Sequence, residues 1–157
     1  MRFDYVTDDE NDGRAGSWVT RLVPRELVLR ALAVDLRGPA TLTVGEPETF
    51  VLTVRNRLPI PVALTLPTSR LWGWSVEGIP EADERGFEPP AVARRVAFAR
   101  RERRVFPLRW DGFVRRAGAT GDEWVPQDGS CQITGFLAVD DWERRGLYDD
   151  LEVRVVP

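Results

Sequence analysis

The side chains that carry most acid–base and metal chemistry are almost missing from this sequence. Histidine does not occur, which removes the commonest general base and the commonest metal ligand together. Ser-His-Asp and Cys-His catalysis are therefore excluded within the chain. Cys131 is the only cysteine, so no intrachain disulfide, zinc cluster or C-x-x-C redox pair can form, and it reads as a small buried hydrophobe. Carboxylates remain. In "DDENDG", Asp8, Glu10 and Asp12 ahead of Gly13 imitate the opening of a calcium loop, but its twelfth position is Val19, where the closing bidentate carboxylate would stand. Asp140, Asp141, Asp149, Asp150 and Glu152 form a second acidic group without ligand spacing. Paired acids hydrolyse glycosides only at a fixed short separation, which spacing along the chain does not give. No catalytic, cofactor-binding or metal-ligating residue is assigned, and the chain is not expected to be an enzyme.

The basic residues are more unusual. All 22 are arginine, and they are unevenly spread. Residues 94–116 hold nine of them, including Arg100, Arg101, Arg103 and Arg104, against Glu102 and Asp111, a local charge of +7. The flanking segments 1–90 and 117–157 carry −4 and −6. With Phe98, Phe106 and Trp110 interleaved, this stretch reads as an arginine-rich hairpin able to bind nucleic acid through phosphate contacts and stacking. The preferred reading is plainer: the solvated face of two strands whose arginines pair with neighbouring acids.

The second candidate surface is aromatic. In "RLWGWSVEG", strand alternation puts Trp72, Trp74 and Val76 on one face and Gly73 on the other. A tryptophan buried between sheets anchors Ig-like sandwiches, so one indole is expected in the core. Its neighbour is expected nearer the rim, beside the Pro-rich loop 79–93 that contains Ile79 and Phe87. Tryptophan and arginine are enriched at binding hot spots. Trp72, Trp74, Ile79, Phe87, Arg100, Arg101, Arg103 and Arg104 are therefore the candidate partner-binding residues.

The elements that must position these side chains read as short strands. Phe50, Leu52 and Val54 in "ETFVLTVRN", and Val62, Leu64 and Leu66 in "PVALTLP", recur with period two. "RNRLPIP" between them has turn chemistry, so the two are expected to pair antiparallel. "LVLRALAVDL", "ATLTVG", "RLWGWSV", "RVAFA", "RRVFPLRW", "CQITGFLAV" and "DLEVRVV" complete about nine candidates. Residues 25–36 could also be helical, and Trp142 to Asp150 could close a helical turn. Pro107 cannot donate to a ladder, so its strand belongs at an edge or carries a bulge. No long helices alternate with the strands, which argues for a two-sheet sandwich or barrel. The N-terminus has no apolar signal region, and no apolar run approaches a membrane span. A cytoplasmic protein is expected, with an acidic N-terminal arm at 1–16 and one domain at 17–157.

The stretch "VLTVRNRLPIPVALTLPTSRLWGWSVEG", followed by "RRVFPLRWDG" and "VPQDGSCQITGFLAV", resembles the intracellular proteinase inhibitor family, often called BsuPI, and related Ig-like domains over roughly residues 40–140. The arginine-only, acidic style resembles proteins of halophilic archaea. The resemblance implies an all-β, Ig-like antiparallel β-sandwich of about seven to nine strands with a long Pro-rich loop, and raises inhibition of an intracellular serine protease as a possible activity. The combined reading is a non-enzymatic module that binds another protein, without cofactor. Arginine-mediated nucleic-acid binding is the alternative.

Overall fold

The computed structural model describes residues 23–80 and 90–157. The acidic arm, its calcium-like stretch and Phe87 lie outside them. The apolar run that was open between helix and strand is both. Helix α1 (Arg25–Ala31) starts at Pro24, whose carbonyl accepts from the Leu27 and Val28 amides. It buries Val28, Leu29 and Ala31 and leaves Leu27 exposed, the one-sided pattern of an amphipathic helix. Leu32 then turns extended, at φ −84° and ψ 140°, and opens β1 (Leu32–Arg37).

The remaining strands are β2 (Thr41–Thr43), β3 (Glu48–Asn56), β4 (Val62–Leu66), β5 (Trp72–Val76), β6 (Ile79–Pro80), β7 (Arg94–Phe98), β8 (Arg103–Trp110), β9 (Phe113–Gly118), β10 (Gly121–Pro126), β11 (Gly129–Leu137) and β12 (Tyr148–Val156). All nine expected strands are present. The two-residue β6 and the hairpin β9–β10 raise the number to twelve among the described residues, above the expected seven to nine. The hairpin escaped notice because it buries a single side chain, Val114, and so shows no apolar alternation. The helical reading of 142–150 holds only for a turn, closed by Arg145 N on Asp141 O at 3.0 Å; Tyr148 already belongs to β12.

Two sheets face one another. One has the order β1-β3-β8, the other β2-β12-β11-β5-β6, and β4–β7 and β9–β10 form two-stranded ribbons. Every pairing is antiparallel except that of β12 with the short β2. Leu36, Phe50, Leu52 and Leu108 from the first sheet pack on Trp74, Cys131, Ile133 and Val153 from the second. A second half of the core joins α1 and the β4–β7 ribbon through Val28, Leu29, Val62, Leu66 and Phe98. Val34, Trp72 and Phe106 pack against both halves. Each large side chain buried here contributes about 1.5–3 kcal/mol. Gly135 sets how closely the sheets approach: a Cβ there would stand 2.6 Å from Leu52 Cδ1. The fold is a mostly antiparallel β-sandwich, one of the two architectures expected from the strand pattern, and it is consistent with the Ig-like sandwich that the resemblance implied.

Two expected pairings are corrected. β3 does not pair with β4; it pairs with β1 and β8, while β4 pairs with β7. Nor do β7 and β8 pair into the arginine-rich hairpin, since each takes a different partner. "RNRLPIP" is therefore a corner that carries the chain out of one sheet into the ribbon, and the turn Ala99–Glu102 brings it back. Asn56, fully buried, fastens both passages. Its Nδ2 donates to Ile60 O at 2.8 Å and Ala99 O at 2.9 Å, its Oδ1 accepts from Leu58 N at 3.0 Å, and its own amide donates to Glu102 O at 2.9 Å.

Candidate interface on the three-stranded sheet

The aromatic candidates are largely consumed by the fold. Trp74, opposite Gly135 in register, is 5% exposed. Trp72, opposite Leu137, is half-buried and stacks on Phe106 with ring centroids 5.4 Å apart. The expected difference in burial between the two indoles is present. The expected position of the freer one is not: Trp72 begins β5, at the end away from the Val76–Ile79 turn that leads into the 79–93 loop. Ile79 is half-buried in β6. On the other face, Gly73 gives Phe136 a bed, since a Cβ there would lie 2.6 Å from Phe136 Cζ. The Phe136 ring is covered in turn by Trp142, stacked at 4.3 Å and nearly parallel, and Tyr148 meets that indole edge-on at 5.4 Å.

The arginines divide by the pleat. Arg104 faces Phe98, 4.4 Å above the ring, bonds Glu102 at 2.7 Å and reaches Ala97 O. Arg101, in the left-handed region at φ 56°, places its amide on Leu58 O at 3.0 Å and its guanidinium on Arg57 O. Both hold the corners together. Arg100 and Arg103 remain exposed without an ion-pair partner among the described residues.

Arg103 belongs to a surface that sequence reasoning did not assemble. Along β8, Arg103, Val105, Pro107 and Arg109 point outward, opposite Arg55, Thr53, Val51 and Thr49 of β3. From β1, Ala33, Asp35 and Arg37 complete the same rows. The centre is small and apolar, with Val105 49% exposed, and four arginines frame it. Asp35 is the only carboxylate in these rows, and it is held by Arg37 at 2.8 Å. Arg55 and Arg103 stand directly across from one another, and neither has an ion-pair partner among the described residues. Like charges directly opposite in a sheet are destabilising. Pro107 sits on an edge strand, as its missing N–H requires. The signal that could have found this face was the period-two arginine pattern of "RRVFPLRW"; the contribution of Arg55 needed the register.

The acids gather no metal site: among the described residues no three potential ligands cluster. Asp149 points between the sheets, where its Oδ2 accepts from Leu36 N at 2.8 Å, and Asp150 accepts from Thr134 Oγ1 at 2.6 Å. The outer face of the five-stranded sheet carries Glu77, Asp150 and Glu152 with Arg154, the reverse of the arginine-framed face. Cys131 is buried, its Sγ 3.6 Å from Val153 O; burial, then the charge of Glu77, pushes the thiol up to about 11.

A family model described as "Family of unknown function (DUF7974)" matches residues 20–156. No curated protein matches the chain. Among solved structures, the CARDB domain of PF1109 from Pyrococcus furiosus, crystallised in complex with di-metal ions, is 16% identical over 80% of this chain and 87% of that one, with a TM-score of 0.47. The solution structure of the same domain is 18% identical, covering 80% and 94%, at 0.48. A β-glucosidase from Listeria innocua in complex with glucose is 14% identical over 80% of this chain, at 0.48; the chain corresponds to 16% of that enzyme.

Proposed function

The chain belongs to the DUF7974 family of unknown function, and from that premise we propose a non-enzymatic protein–protein interaction module that receives an acidic partner on the outer face of β1–β3–β8. The observation that carries this reading is the direct opposition of Arg55 and Arg103 beside half-exposed Val105. An uncompensated like-charge pair costs stability in the free protein, and an incoming carboxylate turns that cost into attraction. An apolar centre with a charged rim and an excess of arginine is the composition of protein interfaces.

The alternation that exposes the arginines favours protein over nucleic acid. Phe98 and Trp110, which would have to stack on bases, face inward at 0% and 3% exposure. Stacking platforms are what single-stranded nucleic acid uses beyond phosphate contacts. An intracellular serine protease, the partner implied by the BsuPI resemblance, fits this reading only where it presents carboxylates to that face.

The test is site-specific photocrosslinking in native lysate. A crosslinker at position 105 is expected to trap an acidic protein, where one at Gln132 on the opposite face does not. Arg55→Glu with Arg103→Glu should abolish the adduct, and reversing acids on the identified partner should restore it. Equal labelling at both positions, or an adduct removed by nuclease, would overturn the reading. An adduct whose protease activity is blocked would select the inhibitor case.

A further inference from the structure

We infer that the acidic stretch Asp8 to Asp12 of this chain is itself a ligand of the arginine-framed face and competes there with any other acidic partner, an assignment that rests on the face receiving carboxylates. The cations concentrate at the end of the face nearest α1. Arg55 and Arg103 stand opposite one another there, and the corners that leave β3 and enter β8 add Arg57 and Arg100, both exposed. The two corners are fastened together by the Arg101 guanidinium on Arg57 O and by its amide on Leu58 O at 3.0 Å, so the four arginines share one end of the sandwich. None of the four has an ion-pair partner among the described residues. The one acid in the corner, Glu102, is already bonded to Arg104 at 2.7 Å.

The matching acids lie on the same chain and within reach. Residues 4–12 hold Asp4, Asp8, Asp9, Glu10 and Asp12 with no arginine among them, the densest run of carboxylates in the sequence. The described residues begin at Val23, and α1 follows at once. After α1 comes β1, whose Ala33 shares a row with Arg55 and Arg103. At the end of α1 the Ala31 carbonyl accepts from the Arg57 amide at 2.9 Å, which sets the helix beside the arginine corner. The helix is about 10 Å long, and the stretch from Asp12 to Val23 spans at most about 40 Å, so tether length does not limit the contact. A ligand on the same chain acts at an effective concentration that a free partner has to exceed.

Chemistry and charge select this face over the other. Phe3, Tyr5 and Val6 precede the acids, and the arginines surround an apolar centre at half-exposed Val105 with Pro107 beside it. Carboxylates thus meet guanidinium groups and apolar side chains meet an apolar centre. The opposition of Arg55 to Arg103 is costly while unmet, and acids of the same chain relieve it. The outer face of the five-stranded sheet, with Glu77, Asp150 and Glu152, repels the same stretch.

The experiment uses the purified full chain with a photoreactive diazirine side chain at position 105, irradiated alone in dilute solution and mapped by mass spectrometry of the digest. An intrachain product joining position 105 to residues 3–14 is expected, at a yield independent of protein concentration. That yield should fall by about fivefold or more as salt rises from about 0.02 to about 0.5 M, over which the Debye length shrinks from about 20 to about 4 Å. Asp8→Asn, Asp9→Asn, Glu10→Gln and Asp12→Asn together should lower it by a similar factor and raise capture of an acidic partner from lysate by about threefold or more, because a competitor at high effective concentration is gone. The same side chain at position 132 should give no such product. No product with residues 3–14, an equal yield at position 132, a yield that rises with protein concentration, or one indifferent to salt and to neutralisation would overturn the assignment. Capture of a foreign acidic protein at position 105 without the intrachain product would remove the stretch as a ligand and leave the partner reading intact. The intrachain product without foreign capture would do the reverse. The unaltered acids are read directly, so the outcome does not depend on how a variant of them folds.

Discussion

Asn56 and Ala99, 43 residues apart, are joined by a hydrogen bond of 2.9 Å from the Asn56 side chain to the Ala99 carbonyl, and the same nitrogen serves Ile60 O at 2.8 Å. One buried amide thus closes two chain passages. Asn56→Ala takes the side-chain partner from Ile60 O and from the Leu58 amide, while Ala99 O keeps the Glu102 amide at 3.1 Å. Each unmet buried group costs about 1–3 kcal/mol, and with two part-buried groups a loss of about 2 kcal/mol is expected. Urea unfolding should show a lowered midpoint at an unchanged slope, and a change under 1 kcal/mol would contradict this account.

Gly73 is required by what lies on it. The Phe136 ring is held between the Gly73 backbone and the Trp142 indole, so a methyl group cannot push it aside freely. Gly73→Ala should cost about 1–3 kcal/mol by overpacking, and Gly73→Ala with Phe136→Leu should recover more than half of it. The double-mutant cycle measures this, and additive losses would refute it.

Cys131 makes a pH prediction. Its thiol is raised from 9.0 to about 11 in the folded chain, so between these values the unfolded state has lost a proton that the folded state keeps. The stabilisation is fully present below pH 9 and is lost as pH rises to 11, by about 2–3 kcal/mol. Denaturant unfolding at pH 8.5, 10 and 11 should show this decline, and Cys131→Ala should flatten it. At pH 8 the native thiol should resist alkylation, because the thiolate is the nucleophile.

Pro107 protects an edge. Among the described residues β8 has β3 on one side and no strand on the other, and exposed Val105 makes that edge attractive to another chain. Pro107→Val restores a ladder donor and should raise concentration-dependent self-association in sedimentation velocity. A variant that stays monomeric at the highest concentrations would show that the edge is guarded by other means.

Much of the scaffold could be read from period-two alternation, because burial on one face imposes it directly: Phe50, Leu52 and Val54 are all at 0% exposure. Which strands pair was less legible. The turn chemistry of "RNRLPIP" correctly marked a change of direction, but turn residues do not say whether the chain returns to its own sheet. Among the candidate site residues, Arg103 faces solvent whereas Arg104, one step along the pleat, serves Glu102 and Phe98. That alternation was available in the sequence. The opposition of Arg103 to Arg55 was not, since it depends on a register set by the whole length of β3 and β8.

Trp72 and Phe106, stacked at 5.4 Å, touch both halves of the core. Their position makes them a mechanical coupling between halves that each have their own interior. The strength of that coupling decides whether the domain melts as one unit or as two. Shortening it with Trp72→Ala should broaden the calorimetric transition, so that the van't Hoff enthalpy falls below the measured one. The half carrying β4, β7 and α1 would then loosen while the other stays closed, and simultaneity, rather than total stability, is what Trp72 supplies.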